Sequence, residues 1–232
     1  MFTFKNIDNW FTDEERLNIR NKVEDLKSDW KHIKDFPLAK SAKLLAAQDP
    51  ELYKSAENQY FLGDATYVLE KLDQRNKTLS ENLNVSFFDL QDKIKNTIKD
   101  ITGLPTSYLS EYPRPGFHIF RGKQTPHPFE YHIDTTICRY DTNYKPEQCY
   151  SFLSLIESPS SDPAGLEYKD TNDFDALRDY PEKTKLYNLN TFYYWKGDYF
   201  HRMKKFGMND GESRITLQGH YVLKDNRAYI YW

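Results

Sequence analysis

The sequence predicts a mainly β domain of the α+β class, in which helices precede a β sandwich or barrel. Helical periodicity lies before about residue 107, and from about residue 108 the chain changes to short β-rich segments separated by Gly, Pro, Asn and Asp. The 18 Tyr and 15 Phe among the 232 residues also favour sheets. No Ser- or Gly-rich linker separates the two parts. We therefore expect one domain over residues 1–232, with a helical support over about 1–107 and a β core over about 108–232.

The first predicted helix lies in FTDEERLNIRNKVEDLKSDWKHI. Thr12 and Glu15 form a capping box at its start, in which the side chain of each residue bonds the backbone N–H of the other. Apolar residues then recur at steps of four and three, the spacing of a helix with one buried face: Ile19, Val23, Leu26, Trp30 and Ile33.

The second predicted helix lies in SFFDLQDKIKNTIKDITGLP, which spans residues 86–105. Ser86 is its expected N-cap, and Gly103 with Pro105 marks its end. The stretch between the helices, residues 38–76, predicts shorter helices and loops. The apolar face of the second helix consists of Phe87, Leu90, Ile94, Ile98 and Ile101.

Seven segments of the second part have the composition of short strands, rich in β-branched and aromatic residues and bounded by turn residues. So many strands in a stretch of this length are typical of a sandwich or barrel. In chain order the segments read GFHIFRG, YHIDTTICRY, CYSFLSLIE, LEYKD, LNTFYYW, YFHRMKKF and SRITLQGHYVL.

Composition argues against several classes of protein. The net charge is −3 and no block of Lys or Arg stands out, which disfavours a nucleic-acid partner. The two cysteines, Cys138 and Cys149, are too few for a disulfide framework and lack the spacing of a zinc site. The N-terminus lacks a signal-peptide pattern, and no apolar run approaches the ~18 residues that span a bilayer. We therefore expect a cytoplasmic protein with no membrane partner.

The stretch EYHIDTT places His132 and Asp134 two residues apart in a predicted strand. With 6 His and 35 Asp plus Glu in 232 residues, chance alone gives about one His-x-acid pair, so the pair needs support from its surroundings. Alternate side chains of a strand share a face, so the imidazole and the carboxylate would point the same way. A neutral imidazole and a carboxylate suit Fe(II) or another divalent first-row metal.

A third metal ligand has to come from elsewhere in the chain, and His201 in GDYFHRMKKF is the candidate. A histidine in a strand rich in Tyr and Phe is more often a hydrogen-bonded structural residue than a ligand. Three other histidines compete with it. His127 lies between two prolines in a predicted loop, and His118 and His220 lack an acidic neighbour at ligand spacing. The residues alone leave this choice open.

The last predicted strand, GESRITLQGHYV, carries Arg214, Thr216, Gln218 and His220 on one face and apolar residues on the other. A surface strand with its polar face in water is the simpler interpretation. The alternative is a barrel in which this face points inward around a charged ligand. Arg214 would then offer a planar fork that matches a carboxylate, and the Thr216 hydroxyl could add a hydrogen bond to the same group.

The pattern resembles the ligand set of Fe(II)- and 2-oxoglutarate-dependent oxygenases: a His-x-Asp pair, a distant His, and an Arg about a dozen residues beyond it. NIDNWFTDEERLNIRNKV resembles the start of the N-terminal helix in the prolyl-4-hydroxylase-like branch, and DKIKNTIKDITGLP its second supporting helix. GDYFHRM followed by GESRITLQGHYV is similar to the closing strands of that branch. The resemblance spans roughly residues 4–30 and 85–223.

The resemblance implies a single oxygenase domain with a double-stranded β-helix core, a jelly-roll of cupin-like form. His132, Asp134 and His201 would be the metal ligands and catalytic residues. Arg214, helped by Thr216, would bind the far carboxylate of 2-oxoglutarate. The implied cofactors are Fe(II), 2-oxoglutarate and O2, with ascorbate as a stimulant. The implied reaction is hydroxylation of an amino acid, a peptidyl residue or a small metabolite, with release of succinate and CO2.

Further site residues follow from the same resemblance. Halogenating relatives replace the carboxylate ligand with a small residue, so Asp134 favours hydroxylation over halogenation and leaves desaturation and ring formation open. His118 and Arg121, on GFHIFRG, are additional pocket candidates. We expect substrate contacts in the polar loops that flank the pair, RGKQTPHPFE and CRYDTNYKPEQC, because loops beside a rigid core commonly carry specificity.

Two other functions compete with the hydroxylase. A cupin-like binding module would keep the fold and bind a small ligand without catalysis. A nucleic-acid demethylase of the same superfamily usually carries a second Arg and an Asn soon after the first Arg, and RITLQGHYV has neither. The acidic charge balance also disfavours that second alternative.

Overall fold

Two β-sheets face each other, and helices cover the outer face of the larger sheet. The computed structural model describes residues 4–36, 58–65, 69, 71, 77–123 and 130–232. The helices are α1 (Asp13–Asp25), α2 (Lys77–Ser86), α3 (Phe88–Thr102) and α4 (Ile137–Tyr140). The strands are β1 (Lys5–Ile7), β2 (Lys31–His32), β3 (Gln59–Leu62), β4 (Thr106–Tyr108), β5 (Gly116–Arg121), β6 (Cys149–Glu157), β7 (Gly165–Tyr168), β8 (Lys183–Leu186), β9 (Phe192–Lys196), β10 (His201–Met203), β11 (Ser213–Lys224) and β12 (Arg227–Tyr231).

The larger sheet runs in the order β1-β9-β6-β11-β5-β3-β2, and β12 pairs with the far half of β11 and with β4. The smaller sheet runs in the order β10-β7-β8. Among the strands of the described residues, every pairing is antiparallel except that of β12 with β4. Mostly antiparallel sheets packed face to face are the architecture of a jelly-roll, so the predicted fold class is confirmed.

The central strand β11 has one apolar face and one polar face. Ile215, Leu217 and Tyr221 point outward into the main hydrophobic core, which they share with apolar residues of α1 and α3. Arg214 and Gln218 point into the space between the two sheets. The inward-facing interpretation of this polar face is therefore right, and the surface-strand interpretation is wrong.

Helix α1 begins as predicted and ends earlier. The Thr12 hydroxyl accepts a hydrogen bond from the Glu15 N–H at 3.1 Å, and the Glu15 carboxylate accepts one from the Thr12 N–H at 2.8 Å. The helix stops at Asp25 and a 3-10 turn follows, so the predicted apolar row does not stay on one helix. The Trp30 indole donates to the Val23 carbonyl at 2.9 Å, which satisfies one of the carbonyls left free where the helix ends.

Helix α3 ends as predicted but begins differently. Gly103 caps its C-terminus at φ +68°, a left-handed conformation that glycine adopts without strain. Ser86 is not the N-cap. It is the last residue of α2, and Phe87 precedes α3 without a side-chain cap. Most of residues 38–76, for which short helices and loops were predicted, lie outside the described residues, and the described part contains β3.

Six of the seven predicted strand segments contain a strand. The exception is YHIDTTICRY, where a single β-bridge at His132 is followed by the short helix α4. Among the described residues, the sequence pattern also missed six short strands, because strands of two to five residues carry little periodicity: β1, β2, β3, β4, β8 and β12. In the described part of the chain, no helix has the length and apolar character needed to cross a membrane.

Candidate metal centre and cavity

A cavity of about 480 Å³ lies between the two sheets, where the inward faces of the strands leave room. One part of its wall is apolar and comes from β6, β7, β9 and the segment before β9: Leu153, Leu166, Trp195 and Tyr187. The polar part of the wall contains all the histidines weighed as metal ligands except His127, which lies outside the described residues.

Backbone pairing outside the regular strands brings the predicted ligands together. His132 and His201 form an isolated antiparallel bridge, with N–H to O distances of 2.9 and 3.0 Å. The Asp134 N–H donates to the Gly197 carbonyl at 2.6 Å. A Cβ at Gly197 would lie 2.8 Å from the Asp134 carbonyl oxygen, so only glycine allows this close approach. This bridge and this hydrogen bond, rather than strand alternation, aim the side chains.

Ligand atoms of His132, Asp134 and His201 all lie within 4.8 Å of one another. The Nε2 atom of His201 is 2.9 Å from Oδ2 of Asp134, and the Nε2 atom of His132 is 3.7 Å from Oδ1. Two imidazoles and one carboxylate on one side of a cavity form the donor set of a facial triad, which leaves the opposite positions of a metal open.

The second nitrogen of each imidazole is already engaged. Nδ1 of His132 lies 3.1 Å from the Glu130 carbonyl, and Nδ1 of His201 lies 2.9 Å from the Tyr199 carbonyl. A carbonyl only accepts, so each Nδ1 carries the proton and each Nε2 is left to face Asp134. Metal-binding histidines are held in this way, with the distal N–H fixed by a second group. The residues therefore fit a divalent cation.

Burial and mutual charge set the protonation of the three groups. Burial raises the pKa of Asp134, but the imidazoles of His201 and His220 outweigh it and hold the pKa well below its usual range. Loss of hydration at the cavity lowers the pKa of His132, although more than half of its side chain is exposed, and neighbouring His201 lowers it further. Burial lowers the pKa of His201 as well, yet the Asp134 carboxylate raises it by more. The result is an ionised carboxylate beside a neutral His132, both of them competent metal donors.

The two histidine segments are also clamped together on the rim of the cavity. Arg202, next to His201, lies over the ring of Tyr131, next to His132, at 4.4 Å from the ring centroid. Glu182 accepts hydrogen bonds from Arg202 at 2.8 Å and from the Tyr131 hydroxyl at 2.5 Å. These two hydrogen bonds to one carboxylate hold the bridge between the two histidines in place.

Arg214 lies at the start of β11, and its side chain forms part of the cavity wall. It is 1% exposed, and its guanidinium lies 5.7 and 5.5 Å from the ring centroids of Phe120 and Phe206. Thr216, its predicted helper, does not line the cavity. The Thr216 hydroxyl donates to the His118 carbonyl at 3.4 Å and accepts from the Gln218 amide at 2.9 Å, so it supports the wall from behind.

Of the two further pocket candidates, only His118 lines the cavity. Its ring lies 2.5 Å from the Gln59 amide nitrogen and is stacked on Phe61. Burial and the positive charge of Arg214 lower the pKa of His118. Arg121 does not line the cavity, because its odd position on β5 places it on the outer face, where it pairs with Glu24 of α1.

Two site residues have positions that the sequence analysis did not predict. Ser151 and His220 lie in the cavity wall directly behind Asp134. His220 was only a competing ligand, and nothing in the sequence of β6 distinguishes Ser151 from Ser154, the other serine of that strand. The signal that identifies them is the register between β6 and β11, which a single sequence does not contain.

No family model and no curated protein matches this sequence. Solved structures do match its fold. The epimerase SnoN from nogalamycin biosynthesis, dependent on α-ketoglutarate, aligns with a TM-score of 0.56 and 8% identity over 95% of this chain and 79% of its own. EctD from S. alaskensis, with 2-oxoglutarate and 5-hydroxyectoine, gives 0.53 and 12% over 96% of this chain and 73% of its own.

A third match has both a metal and the cosubstrate. HygX from Streptomyces hygroscopicus, with nickel, 2-oxoglutarate and hygromycin B bound, aligns with a TM-score of 0.53 and 10% identity over 94% of this chain and 82% of its own. Identities this low establish the fold alone, and the narrower resemblance to the prolyl-4-hydroxylase-like branch stays a prediction. This chain has the double-stranded β-helix fold of the 2-oxoglutarate-dependent oxygenases.

Proposed function

We propose that this protein is an Fe(II)- and 2-oxoglutarate-dependent dioxygenase that hydroxylates an unactivated C–H bond of a small molecule or amino acid, with release of succinate and CO2. One observation carries the proposal: two imidazoles with a fixed Nε2 and one ionised carboxylate converge in a cavity that also contains a buried arginine. The fold shared with oxygenase structures supports it.

His132, Asp134 and His201 would hold the metal. Two imidazole nitrogens and one carboxylate suit Fe(II), and a triad on one side leaves positions for 2-oxoglutarate and O2. Metal binding would displace the proton that Asp134 favours on His201. When bound, the iron and 2-oxoglutarate supply the oxidising chemistry. Because Asp134 keeps the carboxylate, no ligand position is vacated for a halide, which favours hydroxylation over halogenation.

Arg214 would bind the carboxylate of 2-oxoglutarate that is remote from the metal. A buried guanidinium forms paired, charge-assisted hydrogen bonds with a carboxylate, and these are stronger where water is excluded. We propose a supporting role for Thr216, because its hydroxyl fixes Gln218 in the same wall. The apolar wall of Leu153, Leu166 and Trp195 would keep water away from the reacting groups.

A small molecule is the favoured substrate class. A cavity of about 480 Å³ is within the range of sites for small ligands, which extends from about 300 to 1,000 Å³. HygX and EctD were crystallised with the small molecules hygromycin B and 5-hydroxyectoine. The net charge of −3 disfavours a nucleic-acid substrate. The two cysteines are free thiols, which fits the proposed cytoplasmic location.

Anaerobic titration with Fe(II) and 2-oxoglutarate, followed by succinate and O2-uptake assays with ascorbate, tests the proposal. Formation of the visible charge-transfer band of an iron–2-oxoglutarate chelate, and slow succinate release without substrate, are the expected results. A protein that binds neither metal nor 2-oxoglutarate would refute the dioxygenase and leave a non-catalytic binding module.

Asp134→Ala should abolish retention of Fe(II), because it removes the charged member of the donor set. Asp198→Ala is the matched control. Asp198 is another buried carboxylate near the site, but it lies beside Lys196 and outside the cavity lining. Equal iron retention in the wild type and Asp134→Ala would rule out this ligand assignment.

A further inference from the structure

The buried hydroxyl of Ser151 and the imidazole of His220 lie directly behind the carboxylate of Asp134. The Ser151 hydroxyl oxygen lies 2.6 Å from Oδ2 of Asp134 and 3.0 Å from Nδ1 of His220. The Nδ1 atom of His220 is 3.9 Å from the same Oδ2 atom, so it reaches the carboxylate only through the serine. None of the roles assigned above requires either residue.

The direction of these hydrogen bonds follows from the donors available. An ionised carboxylate only accepts, so the single hydroxyl proton of Ser151 points at Asp134. The serine oxygen can then only accept from His220, which fixes the proton of that imidazole on Nδ1. The chain runs in one direction, from the His220 N–H to the Ser151 oxygen and from the Ser151 O–H to Oδ2 of Asp134.

Two neighbouring central strands build this chain rigidly. Ser151 on β6 and His220 on β11 are direct cross-strand partners in the antiparallel register. Ser151 is 1% exposed and His220 is 7% exposed, and the His220 ring packs against the ring of Tyr231 on β12. Cross-strand partners stand about 5 Å apart, so the two side chains meet without strain.

We propose that Ser151 and His220 are positioning residues that lock the carboxylate of Asp134 in one rotation about its Cβ–Cγ bond. The inference rests on the proposed function. A carboxylate that turns freely can take a metal with one oxygen or with both, and binding through both would occupy a position needed by the cosubstrate. A hydroxyl bonded to one oxygen, and itself held by an imidazole, selects one orientation.

His220 is not a fourth ligand in this assignment. Only His132, Asp134 and His201 group their ligand atoms within 4.8 Å in the described part of the chain. The His220 nitrogen that faces the site is the one that donates to Ser151. Its hydrogen bond toward the site goes to Ser151, so we expect its effect on the orientation of Asp134 to pass through the serine.

Titration of the apoprotein with Mn(II) without cosubstrate, followed by electron paramagnetic resonance, tests the inference. Removal of a group that orients a metal ligand typically weakens metal binding 10- to 100-fold, so we expect that loss for Ser151→Ala. Ser154→Ala is the matched control. Ser154 is also fully buried on β6, but its hydroxyl donates to the Thr191 carbonyl at 3.0 Å. It should bind Mn(II) as the wild type does.

The histidine is tested by a pair of variants and a double mutant. His220→Asn places an amide N–H near the position of Nδ1 and should retain most of the affinity, whereas His220→Phe should lose it. In the Ser151→Ala background, His220→Phe should cause no further loss, because non-additivity is the mark of residues that act through one another. Melting temperatures identify any variant that does not fold. If His220→Phe does not fold, the Mn(II) affinity of His220→Asn alone tests the role of His220.

Each possible result of these titrations supports or refutes a specific part of the inference. If Ser151→Ala binds Mn(II) as tightly as the wild type, the positioning role is wrong while the proposed function stands. If the two substitutions add independently, the path through the serine is wrong. If wild-type protein binds no divalent metal, both the proposed function and this inference fail.

Discussion

At the scale of single residues, the least ordinary feature is the burial of Arg214 on a strand face that lines a cavity. Its guanidinium is 1% exposed and lies against two phenyl rings. The planar guanidinium of an arginine in a cavity of this size is suited to bind one carboxylate of a small dianion. Arg214 lines the same cavity as the three proposed metal ligands, which connects the two halves of the proposed site.

Arg214→Gln should weaken 2-oxoglutarate binding about 10- to 100-fold, since a hydrogen bond to a charged group is worth about 1.5–3 kcal/mol. The Michaelis constant for 2-oxoglutarate in uncoupled succinate release measures it. Arg121→Gln is the control, because that guanidinium is on the outer face and pairs with Glu24. Equal effects of the two substitutions would contradict the role of Arg214.

The residues that offered metal-ligand chemistry were predictable, and their partners were not. His132, Asp134 and His201 were candidates because of their type and spacing, and the structure brings them together. The pairing of Ser151 with His220 depends on which residues face each other across two strands. Register is a long-range property that one sequence does not specify.

At the scale of elements, the segment that carries His132 and Asp134 differs most from its prediction. A strand over YHIDTTICRY would have aimed both side chains by alternation. The chain instead makes one bridge to His201 and one hydrogen bond to Gly197, then turns into α4. Ligand geometry at this site therefore depends on a loop approaching the start of β10 and the turn after β9, and local periodicity does not indicate such an approach.

Gly197→Ala should weaken metal binding by displacing Asp134, because the added Cβ would lie 2.8 Å from its carbonyl oxygen. Gly211→Ala provides the contrast. Gly211 has φ +85° with nothing within 4 Å of an added Cβ, so that substitution should cost only backbone strain, about 1–2 kcal/mol of folding stability. Mn(II) titration and thermal melting separate the two effects. Normal metal affinity in Gly197→Ala would contradict this view of the loop.

The turn before β11 is joined to the loop after β6 by one carboxylate. Glu212 accepts hydrogen bonds from the backbone and hydroxyl groups of Ser160 and Ser161 and from the backbone of Asn209. These bonds, led by that of Ser161, lower the pKa of Glu212 to about 2. A depressed folded-state pKa contributes stability that is present above the unfolded pKa of about 4.3 and is lost as pH falls through the folded value.

Glu212→Gln should therefore melt below the wild type at pH 7, and the difference should shrink between pH 5 and pH 2. Melting temperatures of both proteins across that interval give the comparison. A difference that is constant with pH would show that the negative charge of Glu212 does not stabilise the turn.

At the scale of the whole molecule, the order of helices before strands was enough to predict a β core with helices on its outside. Helices that precede a β core pack on its outside, and α3 does so through Leu90, Ile94 and Ile98. The order of strands within the sheets was not predictable. β1 and β9 are sequence-distant neighbours, as are β4 and β12, and such pairs depend on tertiary packing.

The single-domain prediction has a thermodynamic consequence. The main core combines apolar residues of α1 and α3 with those of β5, β6 and β11, so neither part keeps its buried surface without the other. We expect one unfolding transition over the whole chain, with equal calorimetric and van't Hoff enthalpies. Differential scanning calorimetry measures this, and two resolved transitions that divide near residue 107 would contradict it.

A crystal structure with Mn(II) and 2-oxoglutarate, solved without oxygen and phased at the manganese edge, is the most direct test of the central claim. We expect one anomalous peak bonded to Nε2 of His132, Nε2 of His201 and the Asp134 carboxylate, with the remote carboxylate of 2-oxoglutarate on Arg214. A peak outside this triad, or a 2-oxoglutarate that does not contact Arg214, would contradict it.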